Sequence, residues 1–445
     1  MKKKSLHTLG CFAAVIMFGA FQVSQINTDY NVLLSSSGLV TEKTDKKVHL
    51  ENKRALLDKE EYNEMLIRSG EADEIKNHSS TGSEEDGSAI YKKLSLHSRG
   101  ALLLDATNDR VLYEENGYKE LPMASTTKIM TCIVALEHAK PDEVVTFSAH
   151  AARMPDVQLN AKAGEKFYLG DLLYSLMLES HNDVAVAIAE HVGGSVEGFA
   201  TMMNDKAREL GCEHTNFVTP NGLDAPGHHT TARDLAVIAS YGIKNKKFVG
   251  ITNTASHEFK EIKTGKRYFV SNKDRFLYMM EGAIGVKTGF TNGAGYCFVG
   301  AIEKTDRTLI SVVLGCGWPP SKNLKWTDTK ELMNYGVKNY KQKQIFKNKE
   351  FDPLFVKDGQ QKYEQVTMKG NLTLLLRDDE KVRIEYDLPK QLSAPVKASS
   401  EVGKAKYFID EVLYQEVPIY ATSDIAKIDL KFCFKKILNY WSGKY

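Results

Sequence analysis

The feature that most constrains this chain is the order of its apolar patterns. Gly100-Ala-Leu-Leu-Leu-Asp105 and Arg110-Val-Leu-Tyr113 flank Ala106-Thr-Asn-Asp109, two apolar runs across a turn-forming tetrapeptide, which predicts a hairpin. Helical patterns follow over Thr126 to Ala139, Leu169 to Val192, Val196 to Leu210 and residues 230 to 242. After Glu258 strand patterns return, strongest over Cys297 to Glu303 and Leu309 to Cys316. Strands, then helices, then strands again predict an α+β domain. Its sheet is built from both ends of the segment, with the helical cluster inserted between.

The chain is 445 residues long, enough for two or three domains. From about Lys349 the pattern changes to short alternating strands, such as Leu372 to Leu376, Val382 to Tyr386 and Val412 to Val417. This predicts a small all-β domain over residues 346–421, after a catalytic domain at 88–345. In the last segment, 422–445, Leu430, Cys433, Phe434, Ile437, Leu438 and Trp441 fall on one helical stripe, with Lys431, Lys435 and Lys436 off it. That suits an amphipathic helix lying in a membrane surface; a terminal helix packed on the β-domain is the plainer alternative.

At the other end, Lys2, Lys3 and Lys4 precede an uncharged run from Leu9 to Val23, which reads as a signal peptide over residues 1–27. Residues 28–87 are polar and charge-rich and read as a linker, with a propeptide as the sharper option. Export permits disulfides, but Cys132, Cys212, Cys297, Cys316 and Cys433 are odd in number and widely spaced. Four of them sit in apolar surroundings and are expected to be small buried hydrophobes. Neither they nor His228-His229 have the spacing of a zinc site, and no metal or cofactor is expected. A net charge of +2 offers no reason to expect nucleic acid as a partner.

Three short motifs carry chemistry. Ser125-Thr-Thr-Lys128 opens the first helical pattern, so Ser125 and Lys128 share a helix face one turn apart. A serine hydroxyl attacks only when a base takes its proton, and a lysine can do so once burial and a neighbouring cation keep it neutral. Ser180-His-Asn182 offers a second hydroxyl and an amide able to hold a peptide bond. Lys-Thr-Gly occurs twice. Lys263-Thr-Gly265 lies in a polar stretch and reads as a hairpin turn. Lys287-Thr-Gly289 follows apolar Ala283 to Val286 and belongs to a strand. There Lys287 supplies the neighbouring charge, Thr288 can bind a carboxylate, and Gly289 lets substrate backbone lie against the strand. Each triplet alone is weak. In this order they form the signature shared by penicillin-binding proteins and class A β-lactamases.

Over Ile90 to Tyr340 the chain resembles a low-molecular-mass penicillin-binding protein, a D-alanyl-D-alanine carboxypeptidase of the serine peptidase S11 type. The resemblance extends through Pro122 to Met130, Ser180 to Glu190, Asn221-Gly-Leu223, His229 to Leu235 and Gly285 to Thr291. It implies a penicillin-binding transpeptidase-like fold, an antiparallel sheet with a helical cluster, followed by a β-domain and a membrane tail. By position it implies Ser125 as the acylated nucleophile and Lys128 as the base. Ser180 and Asn182 would assist proton transfer and binding. Lys287, Thr288 and Gly289 would hold the substrate, and the N–H groups of Ser125 and Phe290 would form an oxyanion hole. The implied partners are a peptidoglycan pentapeptide ending in D-Ala-D-Ala and β-lactams as covalent inhibitors, on the outer face of the cytoplasmic membrane or in the cell wall.

Two points depart from the family pattern. His181 occupies a position where a small residue is usual; an imidazole there can titrate near neutral pH, and the plainer expectation is that it faces solvent. Lys273 and Arg275 both compete to hold the substrate carboxylate. The rival readings are a β-lactamase, for which Glu213 is a superficial candidate base, and a wall-binding scaffold with a dead site. Transpeptidation or endopeptidase cleavage would keep the chemistry and change the acyl acceptor.

Overall fold

A computed structural model describes residues 93–155 and 157–442. The signal segment and the polar stretch 28–87 lie outside the described residues.

The first hairpin, β1 (Gly100–Asp105) and β2 (Arg110–Glu115), is followed by the helix α1 (Lys128–His138) and a small ribbon of β3 (Val144–Thr146) with β4 (Lys166–Tyr168). Then come α2 (Leu169–Leu178), α3 (Asn182–Gly193), α4 (Val196–Glu209), α5 (Ala232–Ile243) and α6 (Lys246–Thr252). A second ribbon, β5 (Ser256–Lys260) and β6 (Arg267–Ser271), precedes β7 (Ala283–Thr291), β8 (Gly295–Lys304) and β9 (Arg307–Leu314). The helix α7 (Leu324–Asn339) ends this region.

The central sheet has the order β2-β1-β9-β8-β7 and is antiparallel throughout. β1 pairs with β9 from Gly100↔Leu314 to Asp105↔Leu309, so the two ends of the region meet in mid-sheet. Side chains alternate across a strand, and here both faces are covered. Leu102, Leu104, Ile310, Val312 and Leu314 point into the core beneath the helical cluster. Ala101, Leu103, Leu309 and Val313 point into a second core under α7. Burial on both faces explains why β1 reads as a continuous apolar run instead of an alternating one.

The helical pattern over Leu169 to Val192 is two helices, parted at Ser180-His-Asn182. α2 stops at Leu178, Ser180 takes φ 73°, and α3 starts at Asn182. The apolar period continues on both sides of the break. What opens the chain is polar: Asn182 N donates to Val157 O at 2.7 Å. The Asp183 carboxylate accepts from the Leu159, Asn160 and Val184 amides at 2.9, 3.1 and 2.9 Å. An acidic residue in the first turn also suits a helix N-terminus.

The first Lys-Thr-Gly copy is the β5–β6 turn. Glu261 accepts from Thr264 N at 2.5 Å and Thr264 Oγ1 at 2.7 Å, and Gly265 takes φ 68°. Turn geometry accounts for the whole triplet.

β pairing of a different kind begins at Lys341, where Lys341–Gln344 pairs with Thr373–Leu376. Short antiparallel pairs follow, among them Val382–Asp387 with Glu401–Ile409. Tyr340 Oη donates to Leu112 O at 2.6 Å, and Arg110 pairs with Glu380 at 2.5 Å, tying this region to β2. Cys132, Cys212, Cys297 and Cys316 are buried free thiols, and Cys433 is exposed.

Candidate active site

Ser125 lies in a tight turn, Ala124–Thr127, that leads directly into α1. Ala124 has φ 48°, and the turn is clamped from several sides. Thr126 Oγ1 donates to Met123 O at 2.6 Å, and Thr127 Oγ1 donates to Ala124 O at 2.8 Å. His228 Nε2 is 2.9 Å from Thr127 Oγ1, while its Nδ1 accepts from Val218 N at 3.0 Å. An accepting Nδ1 leaves the proton on Nε2, so the neutral ring donates to Thr127. His228, which lacked the spacing of a zinc ligand, is a brace for the Ser125 turn. Gly222 lies against the same turn at φ 82°; a Cβ there would sit 2.0 Å from Ala124 O.

Lys128 is fully buried, and its Nζ reaches three oxygens. Ser125 Oγ is 3.0 Å away, Asn182 Oδ1 2.9 Å and Asn221 O 2.5 Å. Burial pushes the amine well below its ordinary pKa. The Lys287 charge adds to this, and the Asp183 carboxylate opposes it. Ser125 Oγ is half-buried and lies 3.4 Å from Asn221 O. The Asn221 carbonyl is a member of this cluster that motif reading missed. The sequence signal was the Asn221-Gly-Leu223 run, whose glycine makes the close approach possible.

Asn182 bridges Lys128 and Pro155 O, the latter at 3.1 Å. Ser180 Oγ is buried with no hydrogen-bond partner among the described residues. His181 does not face solvent, contrary to expectation. It is 4 % exposed, with Nδ1 2.7 Å from Ser175 Oγ, and burial pushes its pKa down to about 4. The break at Ser180 turns the next side chain inward onto α2, which sequence position alone does not reveal.

β7 brings the second Lys-Thr-Gly copy against the Ser125 turn. A Cβ on Gly289 would lie 3.0 Å from Ser125 N and 3.1 Å from Thr126 N. Lys287, two residues back, projects from the same face of the strand. It is 2 % exposed, and burial lowers its pKa to about 7, with Asp274 opposing and Lys325 adding to the shift. Thr288 is half-buried, and Phe290 is exposed at the rim with its ring 4.6 Å from that of Tyr296.

The two basic candidates separate cleanly. Lys273 Nζ is 3.3 Å from Glu179 Oε1, beside Ser180. Arg275 is exposed and lines a groove against α7 with Asn323 and Trp326. Glu213 is exposed in the turn after α4, and among the described residues the partners of Ser125 and Lys128 include no glutamate. Among those residues there is also no group of three His, Cys, Asp or Glu side chains placed to hold a metal ion.

This arrangement has known counterparts. Residues 87–317 match the D-alanyl-D-alanine carboxypeptidase family model, and residues 340–427 match the penicillin-binding protein 5 C-terminal domain. The chain is 30 % identical over 368 residues to D-alanyl-D-alanine carboxypeptidase DacF of Bacillus subtilis, covering 81 % of this chain and 93 % of that one. It is 29 % identical to DacC of Escherichia coli, over 74 % of this chain and 85 % of that one. The fold matches penicillin-binding protein 5 of Haemophilus influenzae at a TM-score of 0.65, with 24 % identity over 76 % of this chain and all of that one. A point mutant of the Streptomyces K15 DD-transpeptidase matches at a TM-score of 0.52 and 31 % identity, over 55 % of this chain and 99 % of that one. The chain therefore belongs to the serine-type D-alanyl-D-alanine carboxypeptidases, low-molecular-mass penicillin-binding proteins with a β-rich C-terminal domain.

Proposed function

We propose that Ser125 is the nucleophile of this D-alanyl-D-alanine carboxypeptidase and that neutral Lys128 is its base. The observation that carries the reading is the 3.0 Å contact between Ser125 Oγ and a fully buried Lys128 Nζ. Lys128 takes the Oγ proton as Oγ attacks the carbonyl carbon of the penultimate D-Ala. Charge develops on the carbonyl oxygen, toward which the N–H groups of Ser125 and Phe290 would donate. When the C–N bond breaks, the proton held by Lys128 passes through Ser180 to the departing D-Ala amine, which leaves Lys128 neutral again; the otherwise unpartnered Ser180 Oγ fits that relay. Asn182 holds the substrate amide. Lys287 and Thr288 hold the carboxylate side, with Lys273 rather than Arg275 as the second cation. Water then releases the shortened peptide. With a β-lactam the amine stays tethered to the acyl group, so the ester persists.

The acceptor in the second step is water in this reading. Likeness to a DD-transpeptidase supports an amine acceptor as a second reading of the same acyl-enzyme. Incubation with a D-Ala-D-Ala pentapeptide, followed by mass spectrometry, separates the two: free D-Ala with a tetrapeptide, or a cross-linked dimer. Ser125→Ala should abolish labelling by fluorescent penicillin with the fold intact, and persistent labelling sinks the assignment.

The same reading places the enzyme outside the cytoplasm, with the helix α8 (Leu430–Trp441) on a membrane surface. None of its residues is buried, and Leu430 and Trp441 are 89 % and 83 % exposed. Among the described residues no helix is long and apolar enough to cross a membrane, so the proposed contact is in-plane.

A further inference from the structure

One buried carboxylate behind β7 has no part in this chemistry. Asp274 is 4 % exposed. Its Oδ1 accepts from Phe276 N at 2.9 Å and caps the short turn Arg275–Tyr278, which packs on β7. Its Oδ2 is buried and has no hydrogen-bond partner among the described residues. Capping needs one oxygen, and asparagine caps as well as aspartate. A second, unpartnered carboxylate oxygen is costly to bury unless a charge compensates it.

Two cations act on Asp274 through their charge, neither of them hydrogen-bonded to its Oδ2: Lys287 from β7 and Lys325 from α7. Lys287 is itself short of partners. Among the described residues its Nζ donates only to Thr288 O, at 3.1 Å. The titratable groups around it are Lys128 from α1, His181 at the start of α3, Lys325 and Asp274. Asp274 is the acid in that set.

We propose that Asp274 is a positioning residue whose free Oδ2 supplies the counter-charge that keeps buried Lys287 an ammonium ion. The inference rests on the reading of Lys287 as the group that holds the substrate carboxylate and keeps Lys128 neutral. Burial drives Lys287 down and Asp274 up, each to about 7, and each charge opposes the shift of the other. Without Asp274 the Lys287 amine faces basic groups and sheds its proton at lower pH. The carboxylate then loses its anchor, and Lys128 regains a proton more readily. Asp274 thus sets the alkaline limit of the enzyme.

The test is the pH dependence of penicillin acylation and of kcat/KM on a D-Ala-D-Ala peptide. Asp274→Asn keeps the cap oxygen and removes the charge. Its alkaline limb should move to lower pH by about one unit, with Tm near that of the unaltered enzyme. Lys325→Gln removes an opposing cation and should move the limb the other way. A lowered Tm with an unmoved limb in Asp274→Asn means a cap alone and overturns the proposal. If Asp274→Asn does not fold, Asp274→Ser, which also keeps a capping oxygen and removes the charge, takes its place, and an unmoved limb there overturns the proposal. Lys287→Ala separates the two readings: intact acylation there overturns the role of Lys287 itself, while lost acylation with an unmoved Asp274→Asn limb overturns only the role of Asp274.

Discussion

Gly289 and Ser125 approach so closely that a single methyl group would intrude between β7 and the Ser125 turn. A Cβ on Gly289 would meet Ser125 N at 3.0 Å and the Ala124 Cβ at 3.1 Å. These obstacles are backbone and a turn residue, not the movable end of a long side chain. The Ser125 turn is itself held by His228, Thr126 and Thr127, so it has little freedom to retreat.

Gly289→Ala should therefore push β7 and the Ser125 turn apart. Overpacking of this kind costs about 1–3 kcal/mol. The acylation rate should fall further, by about a hundredfold, because catalysis is sensitive to misplacement of about 1 Å. Penicillin acylation rates and Tm measure the two effects separately. An unchanged rate would mean that the strand and the turn are not mutually constrained.

The two Lys-Thr-Gly copies should respond in opposite ways. Lys263 lies in an exposed turn held by Glu261, and Lys263→Ala should leave acylation within about twofold, since surface substitutions are nearly neutral. Lys287→Ala removes the cation beside Lys128 and should depress acylation strongly. Equal loss from both variants would refute the assignment of the second copy.

Stability should fall on mild acidification. Burial holds His181 and His228 near a pKa of about 4, below the usual histidine value. In the window between about pH 6.5 and about pH 4 the unfolded chain therefore binds more protons than the native one, and stability rises with pH. It is fully present above the unfolded value and is lost on descent toward about 4, by up to about 3 kcal/mol for each histidine. For His228 the cause is visible, because protonation fills the Nδ1 that accepts from Val218 N. Tm followed across this range should drop, and less steeply in His228→Gln. Parallel slopes would remove His228 as a source.

Deleting residues 429–445 should release the enzyme from anionic lipid vesicles and leave penicillin labelling intact. Asp429 caps α8 by accepting from Phe432 N at 2.7 Å, so the cut removes the helix with its own cap. Binding of the full chain should weaken with salt, as the lysines opposite the apolar stripe require. Vesicle co-sedimentation checks both points, and undiminished binding after the deletion would overturn the surface-anchor reading.

Much of the site was legible as residue types in order. Ser125, Lys128, Asn182 and Lys287 announce themselves because the chemistry needs a hydroxyl, an amine, an amide and a second cation. The surroundings of Lys263 and Lys287 also told the copies apart, one polar and one apolar. His181 shows where such reading stops. Nothing in Ser180-His-Asn182 says which way the imidazole turns, because that follows from a left-handed Ser180 and from Ser175 on another helix.

Local pattern by itself determined the α+β class, the two-ended sheet and the candidates for the reacting groups, since periodicity and side-chain chemistry are properties of neighbouring residues. Tertiary structure alone decided the Asn221 carbonyl under Lys128 and the brace from His228. Each joins residues far apart in the chain, as Lys128 and Asn221 are joined across 93 positions. The lowered pKa of Lys128 belongs to the same class, because it depends on burial and on a charge delivered by a different strand.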